Sequence, residues 1–201
     1  ETTPNSVWSN QYGNVNNPKA HYTTMSEIME ALNFQVDYLF IATSTCGTLM
    51  GCADYIQSKK YSTKLIAVDA EGSILFKSNS GKRKIPGHGA GMPSKFLDRD
   101  KVYDIVHVTD EDCITGCRAL LEKEAILCGG SSGGLVTAYR KYAERLPKHA
   151  TSVLLLPDRG ERYLDTIYNS DWVSENIYSR DNVKMRVKGR RKTKNPINAA
   201  V

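Results

Sequence analysis

The segment that says most about the fold of this chain is Phe40-Ile41-Ala42-Thr43-Ser44-Thr45-Cys46-Gly47-Thr48-Leu49-Met50-Gly51. An apolar run over residues 36–42 ends in small hydroxylated residues and a glycine, and a helical pattern follows directly. A strand that feeds a tight turn at a helix N-terminus directs backbone N–H groups outward and can hold an anion. A structural turn with capping hydroxyls has a similar sequence, so this segment alone leaves both interpretations open.

On either side of this segment, apolar strands alternate with helical patterns. We predict strands at residues 6–12, 36–42, 64–68, 102–108 and 153–156, and a long loop at 73–98. Residues 13–18 are rich in asparagine and predict a turn. Helices are predicted at residues 24–32, 49–59, 131–146 and 161–168. A further helix is predicted to follow the strand at residues 102–108, with a capping box formed by Thr109 and Asp112. The alternation predicts an α/β fold of three layers, a mostly parallel sheet with helices on both faces.

Ligands of such sheets bind beyond the carboxyl ends of the strands. The loops at residues 43–48, 69–73 and 157–160 each follow a predicted strand, so we expect them to gather at that edge. The turn at residues 129–132 lies between two predicted helices. This turn reaches the same edge only if the N-terminus of the helix that follows it points there. An ordinary N-cap serine, with glycines in the turn, would have a similar sequence, so both interpretations stay open.

The charge of the chain is concentrated at one end. Of 27 Lys and Arg residues against 22 Asp and Glu, eight lie in residues 180–201 beside a single acid, Asp181. The remaining chain has 19 basic and 21 acidic residues and no basic stripe. We therefore expect a folded domain at residues 1–179 and a flexible basic tail at 180–201, without a nucleic-acid partner.

The five cysteines are an odd number without C-x-x-C spacing, and the four histidines are scattered. This pattern favours free thiols in a reducing cytoplasm and predicts no metal site. No apolar run approaches the roughly 18 residues that span a membrane, so we expect no membrane partner.

Five motifs follow one another in a fixed order: Asn17-Pro18-Lys19-Ala20-His21, Ser44-Thr45-Cys46-Gly47-Thr48, Gly87-His88-Gly89-Ala90-Gly91, Gly129-Gly130-Ser131-Ser132-Gly133-Gly134 and Leu156-Pro157-Asp158-Arg159-Gly160-Glu161-Arg162-Tyr163. Over residues 5–175 this series resembles the cysteine synthase family, pyridoxal 5′-phosphate (PLP) enzymes of the tryptophan-synthase-β fold type. The resemblance implies a homodimeric enzyme that replaces the β-substituent of serine derivatives.

The resemblance also implies roles for individual residues. The phosphate loop of the family, usually G-T-G-G-T, falls on Ser44, Thr45, Cys46, Gly47 and Thr48, and the serine that meets the pyridine nitrogen falls on Ser131. We interpret Cys46 as a small packing residue rather than a reactive thiol. We expect His88, at a position often apolar in the family, to be a solvent-exposed loop residue rather than an acid or base.

The departure from the family pattern at Ser44 concerns the second substrate. Ser44 replaces the usual glycine, and Tyr12 follows the first predicted strand. Together they resemble the branch that makes N-(2-amino-2-carboxyethyl)-L-glutamate for 2,3-diaminopropionate, a siderophore precursor. This branch implies O-phospho-L-serine and L-glutamate as substrates, joined through an aminoacrylate. Extra polar donors suit the two carboxylates of glutamate, whereas a cysteine synthase that uses sulfide, the alternative, needs none.

The lysine that binds the cofactor covalently in this family has no counterpart in this chain. Lys95 stands in a superficially similar motif but in the wrong place, within the loop at residues 73–98. We therefore expect the C-terminal portion of an enzyme, inactive alone. A non-catalytic binding module without the lysine is the remaining alternative.

Overall fold

The computed structural model describes residues 3–77 and 80–178, in which four strands form one parallel sheet in the order β3-β2-β1-β4. The central strand β1, Tyr38–Ala42, pairs with β2, Lys64–Ala70, on one side and with β4, Ser152–Leu155, on the other. Strand β3, Asp104–Val108, extends the sheet beyond β2. The predicted boundary at residue 179 and the basic tail at 180–201 lie outside the described residues.

Helices cover both faces of this sheet, which confirms the predicted three-layer α/β fold. They are α1 Asn16–Ala31, α2 Gly47–Lys59, α3 Asp110–Glu124, α4 Gly130–Tyr142 and α5 Ser170–Asn176. Alternate residues of β1 enter different cores: Leu39 and Ile41 pack in the cluster with α1 and α2, whereas Tyr38 and Phe40 pack in the cluster with α3 and α4. No helix in residues 3–77 and 80–178 is long and apolar enough to cross a bilayer.

The other four predicted strands and the Thr109 cap are confirmed. The Thr109 hydroxyl accepts from the Asp112 N–H at 3.1 Å, and the Asp112 carboxylate accepts from the Thr109 N–H at 2.9 Å. This reciprocal pair satisfies two backbone donors of the first turn of α3. The described parts of the loop at residues 73–98 contain no helix or strand, also as predicted.

Three predictions at the ends of the chain were wrong. Residues 6–12 form no strand and join no described sheet, and Val7 and Trp8 are 95% and 83% exposed. Helix α1 begins at Asn16, inside the predicted turn, because a proline in the first helical turn removes no helical hydrogen bond. The predicted helix at 161–168 is a single 3₁₀ turn, Glu161–Tyr163, and α5 was missed.

Candidate functional site

Thr43 fixes the point at which the chain leaves β1 for α2. Its side chain is fully buried, and its hydroxyl donates to Asp69 Oδ1 at 2.7 Å. Its N–H donates to the Val68 carbonyl at 3.0 Å, and its own carbonyl accepts from the Gly89 N–H at 2.6 Å. The loop that follows is therefore held to the carboxyl ends of β1 and β2 and to the glycine-rich segment at 87–91.

The N-terminus of α2 opens on this loop without a side-chain cap. Its N-cap residue is Cys46, which adopts a left-handed conformation at φ 65° and makes no side-chain cap hydrogen bond. The N–H groups of Thr48 and Leu49 lie in the first turn of α2, so there is no helical carbonyl four residues earlier to which they can donate. They add to the positive end of the helix dipole, so this terminus can accept an anion. Helices α3 and α5, by contrast, are capped by Thr109 and Asn169.

Ser44, Thr45 and Thr48 are half-buried in this loop, whereas Cys46 and Gly47 are buried. The Cys46 thiol packs in the core between α1, α2 and the sheet, and is 3% exposed. Burial raises the pKa of Cys46 to about 12, because a thiolate there would lose its hydration. This agrees with the interpretation of Cys46 as a packing residue.

The turn at residues 129–132 reaches the same edge of the sheet. The Gly129 N–H donates to the Asp158 carbonyl, and the Gly160 N–H donates to the Leu127 carbonyl, both at 3.2 Å. Because residues 157–160 directly follow β4, these bonds bring the N-terminus of α4 to the carboxyl edge. A Cβ at Gly129 would lie 2.0 Å from Asp158 Oδ1, so this approach requires glycine.

Two serines follow at the start of α4. Ser131 is 7% exposed, and its hydroxyl makes no hydrogen bond to a residue in the described ranges. Ser132 is fully buried, and its Oγ likewise has no described partner. The N-cap Gly129 offers no side chain, so α4, like α2, presents an uncapped N-terminus and a nearby hydroxyl.

His88 lies against the end of β2 and helix α3, and the expectation that it is exposed was wrong. It is 2% exposed, and its Nε2 donates to the Val68 carbonyl at 3.1 Å, which leaves Nδ1 to accept from the Cys113 thiol at 3.6 Å. Burial lowers the pKa of His88, so the ring is neutral. Positive φ angles of 72° and 71° at Gly87 and Gly89 turn the loop inward over β2.

Tyr12 lies beside the loop through its neighbour in the chain. The Gln11 carbonyl accepts from Asn17 Nδ2 at 2.7 Å, and the same nitrogen donates to the Thr45 hydroxyl at 3.2 Å. The Tyr12 side chain is half-buried, and no hydrogen bond in residues 3–77 and 80–178 joins it to Ser44. The structure therefore ties the chain segment of Tyr12 to the loop through Gln11 and Asn17.

The sequence did not predict two clamps on this site. Asn17 hydrogen-bonds to Thr45 and His21 to Thr48, both from helix α1. The spacing of four residues between Asn17 and His21 in the N-P-x-x-H motif could have indicated that both lie on one face of a helix. Tyr168 grips the turn before α4: its hydroxyl accepts from the Cys128 N–H at 3.1 Å and donates to the Cys128 carbonyl at 2.6 Å. No sequence motif marks Tyr168.

The sequence of this chain matches a known family of enzymes. A family model described as pyridoxal-phosphate dependent enzyme matches residues 1–158. The chain belongs to this family. Over 178 residues it is 43% identical to N-(2-amino-2-carboxyethyl)-L-glutamate synthase of Ralstonia nicotianae, an alignment that covers 88% of this chain and 53% of that protein.

Solved structures of similar proteins agree with the fold. An O-acetylserine dependent cystathionine beta-synthase from Helicobacter pylori matches with a TM-score of 0.75 and 31% identity over 83% of this chain and 55% of that one. O-acetylserine sulfhydrylase isoform 3 from Entamoeba histolytica matches with a TM-score of 0.76 and 35% identity, over 80% of this chain and 49% of that one. The chain thus spans about half the length of these relatives.

The described residues fit the cofactor of this family. PLP carries a phosphate dianion at one end and a pyridine nitrogen at the other. The uncapped α2 N-terminus with its hydroxyls is suited to the phosphate, and the Ser131 hydroxyl, which has no partner in the described ranges, can donate to an unprotonated ring nitrogen.

The burial of Cys46 leads to a testable expectation. With a pKa raised to about 12, its alkylation by iodoacetamide at pH 8 should be on the order of 1,000-fold slower than that of free cysteine. The rate should keep rising with pH toward 12, because the thiolate fraction grows throughout that range. Peptide mass mapping resolves Cys46 from the other cysteines, and the unfolded chain is the control. A rate that levels off near pH 8.5 would contradict the buried thiol.

Proposed function

We propose that this chain forms the cofactor-binding part of a PLP-dependent synthase that condenses O-phospho-L-serine with L-glutamate to N-(2-amino-2-carboxyethyl)-L-glutamate. One observation carries the proposal: the N-termini of α2 and α4, neither of which is capped by the side chain of its N-cap residue, both lie at the carboxyl edge of the sheet. The 43% identity to the Ralstonia nicotianae synthase supports this particular product.

The chain's own residues hold and orient the cofactor in this proposal. The N–H groups of the first turn of α2, with the hydroxyls of Thr45 and Thr48, bind the phosphate. When bound, PLP supplies the electron sink that permits loss of the β-substituent from a serine derivative. Ser131 donates to the ring nitrogen and, unlike a carboxylate, leaves it unprotonated. That choice suits elimination and replacement at the β-carbon.

Ser44 and Tyr12 are proposed to contact the second substrate. Ser44 lies half-buried at the point where the loop leaves Thr43, and the segment of Tyr12 is tied to the same loop through Asn17. Glutamate has two carboxylates that must exchange water for protein donors. The two hydroxyls supply such donors.

A cysteine synthase activity is the alternative within the family. The solved relatives include an O-acetylserine sulfhydrylase that is 35% identical to this chain. Sulfide has no carboxylate to bind, so this activity gives the Ser44 hydroxyl no role.

We further propose a homodimer in a reducing cytoplasm, within 2,3-diaminopropionate biosynthesis for a siderophore. Five buried free thiols support the reducing compartment. The dimer and the pathway rest on the resemblance to the family branch.

The proposal distinguishes the two substrates through Ser44. Replacing Ser44 with glycine should lower kcat/KM for L-glutamate about tenfold, because one hydrogen bond to a carboxylate is lost. The half-reaction with O-phospho-L-serine should change less than about twofold, and sulfide used as nucleophile serves as the control. Steady-state kinetics with each substrate varied in turn give both values. Equal losses for glutamate and phosphoserine would contradict the assignment.

Ser131 and Ser132 offer a matched pair. Ser131→Ala should weaken the reaction with every nucleophile at least about tenfold and shift the cofactor absorbance, since the ring nitrogen loses its donor. Ser132→Ala removes a neighbouring hydroxyl without a described partner and should leave the absorbance unchanged. Unaltered product formation in Ser131→Ala would refute the role of Ser131.

The proposal also places the covalent cofactor lysine outside residues 1–201, so that the chain alone is inactive. Described lysines make ion pairs with Glu71, Asp54 and Asp112, and no described lysine side chain bonds to residues 43–48 or 129–132. Borohydride reduction of the complete protein with PLP, followed by peptide mass mapping, should find the cofactor on none of these lysines. A label on one of the described lysines would contradict the proposed position of the cofactor lysine. A complete protein without any label would favour the non-catalytic binding module.

A further inference from the structure

Helix α1 approaches the N-terminus of α2 unusually closely. A Cβ at Gly47 would lie 2.0 Å from Asn17 Oδ1, and one at Gly51 would lie 2.1 Å from the Pro18 carbonyl and 2.7 Å from His21 Cβ. A side chain at Gly51 would overlap the backbone of α1, and one at Gly47 would displace the Asn17 amide, so the two glycines admit α1 and this amide. Asn17 and His21 of α1 are four residues apart, as are Gly47 and Gly51 of α2. The close contact of Asn17 with Gly47 is therefore repeated one helical turn later by His21 with Gly51. Asn17 and His21 are thereby placed under the loop at residues 44–48.

Asn17 determines the hydrogen-bonding state of the Thr45 hydroxyl. The Gln11 carbonyl can only accept, so the bond from Asn17 Nδ2 at 2.7 Å fixes the orientation of the amide. The same nitrogen donates to Thr45 Oγ1 at 3.2 Å, and the Gly47 N–H donates to that oxygen at 3.3 Å. Two donors use both lone pairs of the hydroxyl. Its hydrogen makes no bond within the described residues and is left to donate outward.

His21 occupies the equivalent position below Thr48. Its Nε2 lies 3.1 Å from Thr48 Oγ1, and its Nδ1 lies 3.3 Å from Thr24 Oγ1. Burial lowers the pKa of His21, so near neutral pH one ring nitrogen donates and the other accepts. When Thr24 donates to Nδ1, Nε2 donates to Thr48, and the Thr48 hydrogen is then free to donate outward.

We infer that Asn17 and His21 are positioning residues that hold the Thr45 and Thr48 hydroxyls as hydrogen-bond donors toward the cofactor phosphate. The inference rests on the proposed placement of that phosphate in the loop at residues 44–48. A phosphate dianion accepts hydrogen bonds and has none to donate, so it binds best where every surrounding group is already oriented to donate. Neither positioning residue needs to touch the ligand.

The test compares PLP with pyridoxal, which lacks the phosphate, by fluorescence or absorbance titration of the complete cofactor-free protein. His21→Leu should raise the dissociation constant of PLP about tenfold, the scale of a lost bond to a charged group, and that of pyridoxal less than about twofold. Thr48→Val should do the same. The double variant should be no worse than Thr48→Val alone, because His21 acts through that hydroxyl. His21→Gln, which keeps an N–H donor, should restore most of the affinity.

Asn17 provides an independent arm with its own control. Asn17→Ala should weaken PLP about tenfold and pyridoxal little, and should add nothing to Thr45→Val. Asn16→Ala removes the same side chain from the exposed neighbouring position of α1 and should change neither affinity. The ratio of the two affinities in one sample does not depend on the fraction of folded molecules, so destabilised variants still give a result.

Equal losses for PLP and pyridoxal, or losses that add in the double variants, would overturn the inference. A wild-type protein that binds PLP no more tightly than pyridoxal would instead overturn the proposed phosphate site. The two failures are therefore distinguishable in one set of titrations.

Discussion

The site depends on the absence of two side chains, at Gly47 and Gly51, where α1 presses against α2. This contact sets the depth at which α1 lies on the sheet and therefore the position of the N-P-x-x-H segment. Even one methyl group at Gly47 would overlap the Asn17 amide. The loop between β1 and α2 is thus supported from below by α1 and from the side by Asp69, through Thr43. A loop supported on two sides can present backbone donors without rearrangement when an anion arrives.

Electrostatics at the edge of the sheet follow from this support. Two helix N-termini without side-chain caps concentrate partial positive charge in one place. Such termini cost stability unless water or a ligand satisfies their N–H groups. In the proposed placement, the phosphate of the cofactor lies at the N-terminus of α2 and its ring nitrogen at that of α4. Helices α3 and α5 carry side-chain caps, whereas α1, α2 and α4 do not, and α2 and α4 begin at the edge where we propose that the cofactor binds.

Much of this could be predicted from the sequence, for a physical reason. Strands β1 and β2 are buried apolar runs, the pattern expected inside a parallel sheet, and all four strands were predicted within two residues of their observed ends. His88 was misjudged because a polar residue among glycines is typical of an exposed loop. Its burial depends on the Val68 carbonyl and the Cys113 thiol, which come from distant parts of the chain. The start of α1 was missed because asparagine and proline occur in turns and in first helical turns alike. The support that Asn17 and His21 give to the loop required the packing of α1 on α2.

The register of the sheet has a consequence for how the chain acquires its structure. Strand β1 lies at the centre, yet it pairs with Ser152–Leu155 as well as with β2, and Thr151 N–H bonds to the Asp37 carboxylate across 114 residues of sequence. The local unit of β1, α2 and β2 can associate early, whereas the other edge of β1 stays open until β4 arrives. During synthesis on the ribosome that edge offers unpaired backbone groups for much of the elongation time. The high sequence separation predicts slow folding and a need to protect β1 from foreign strands until β4 has been synthesised.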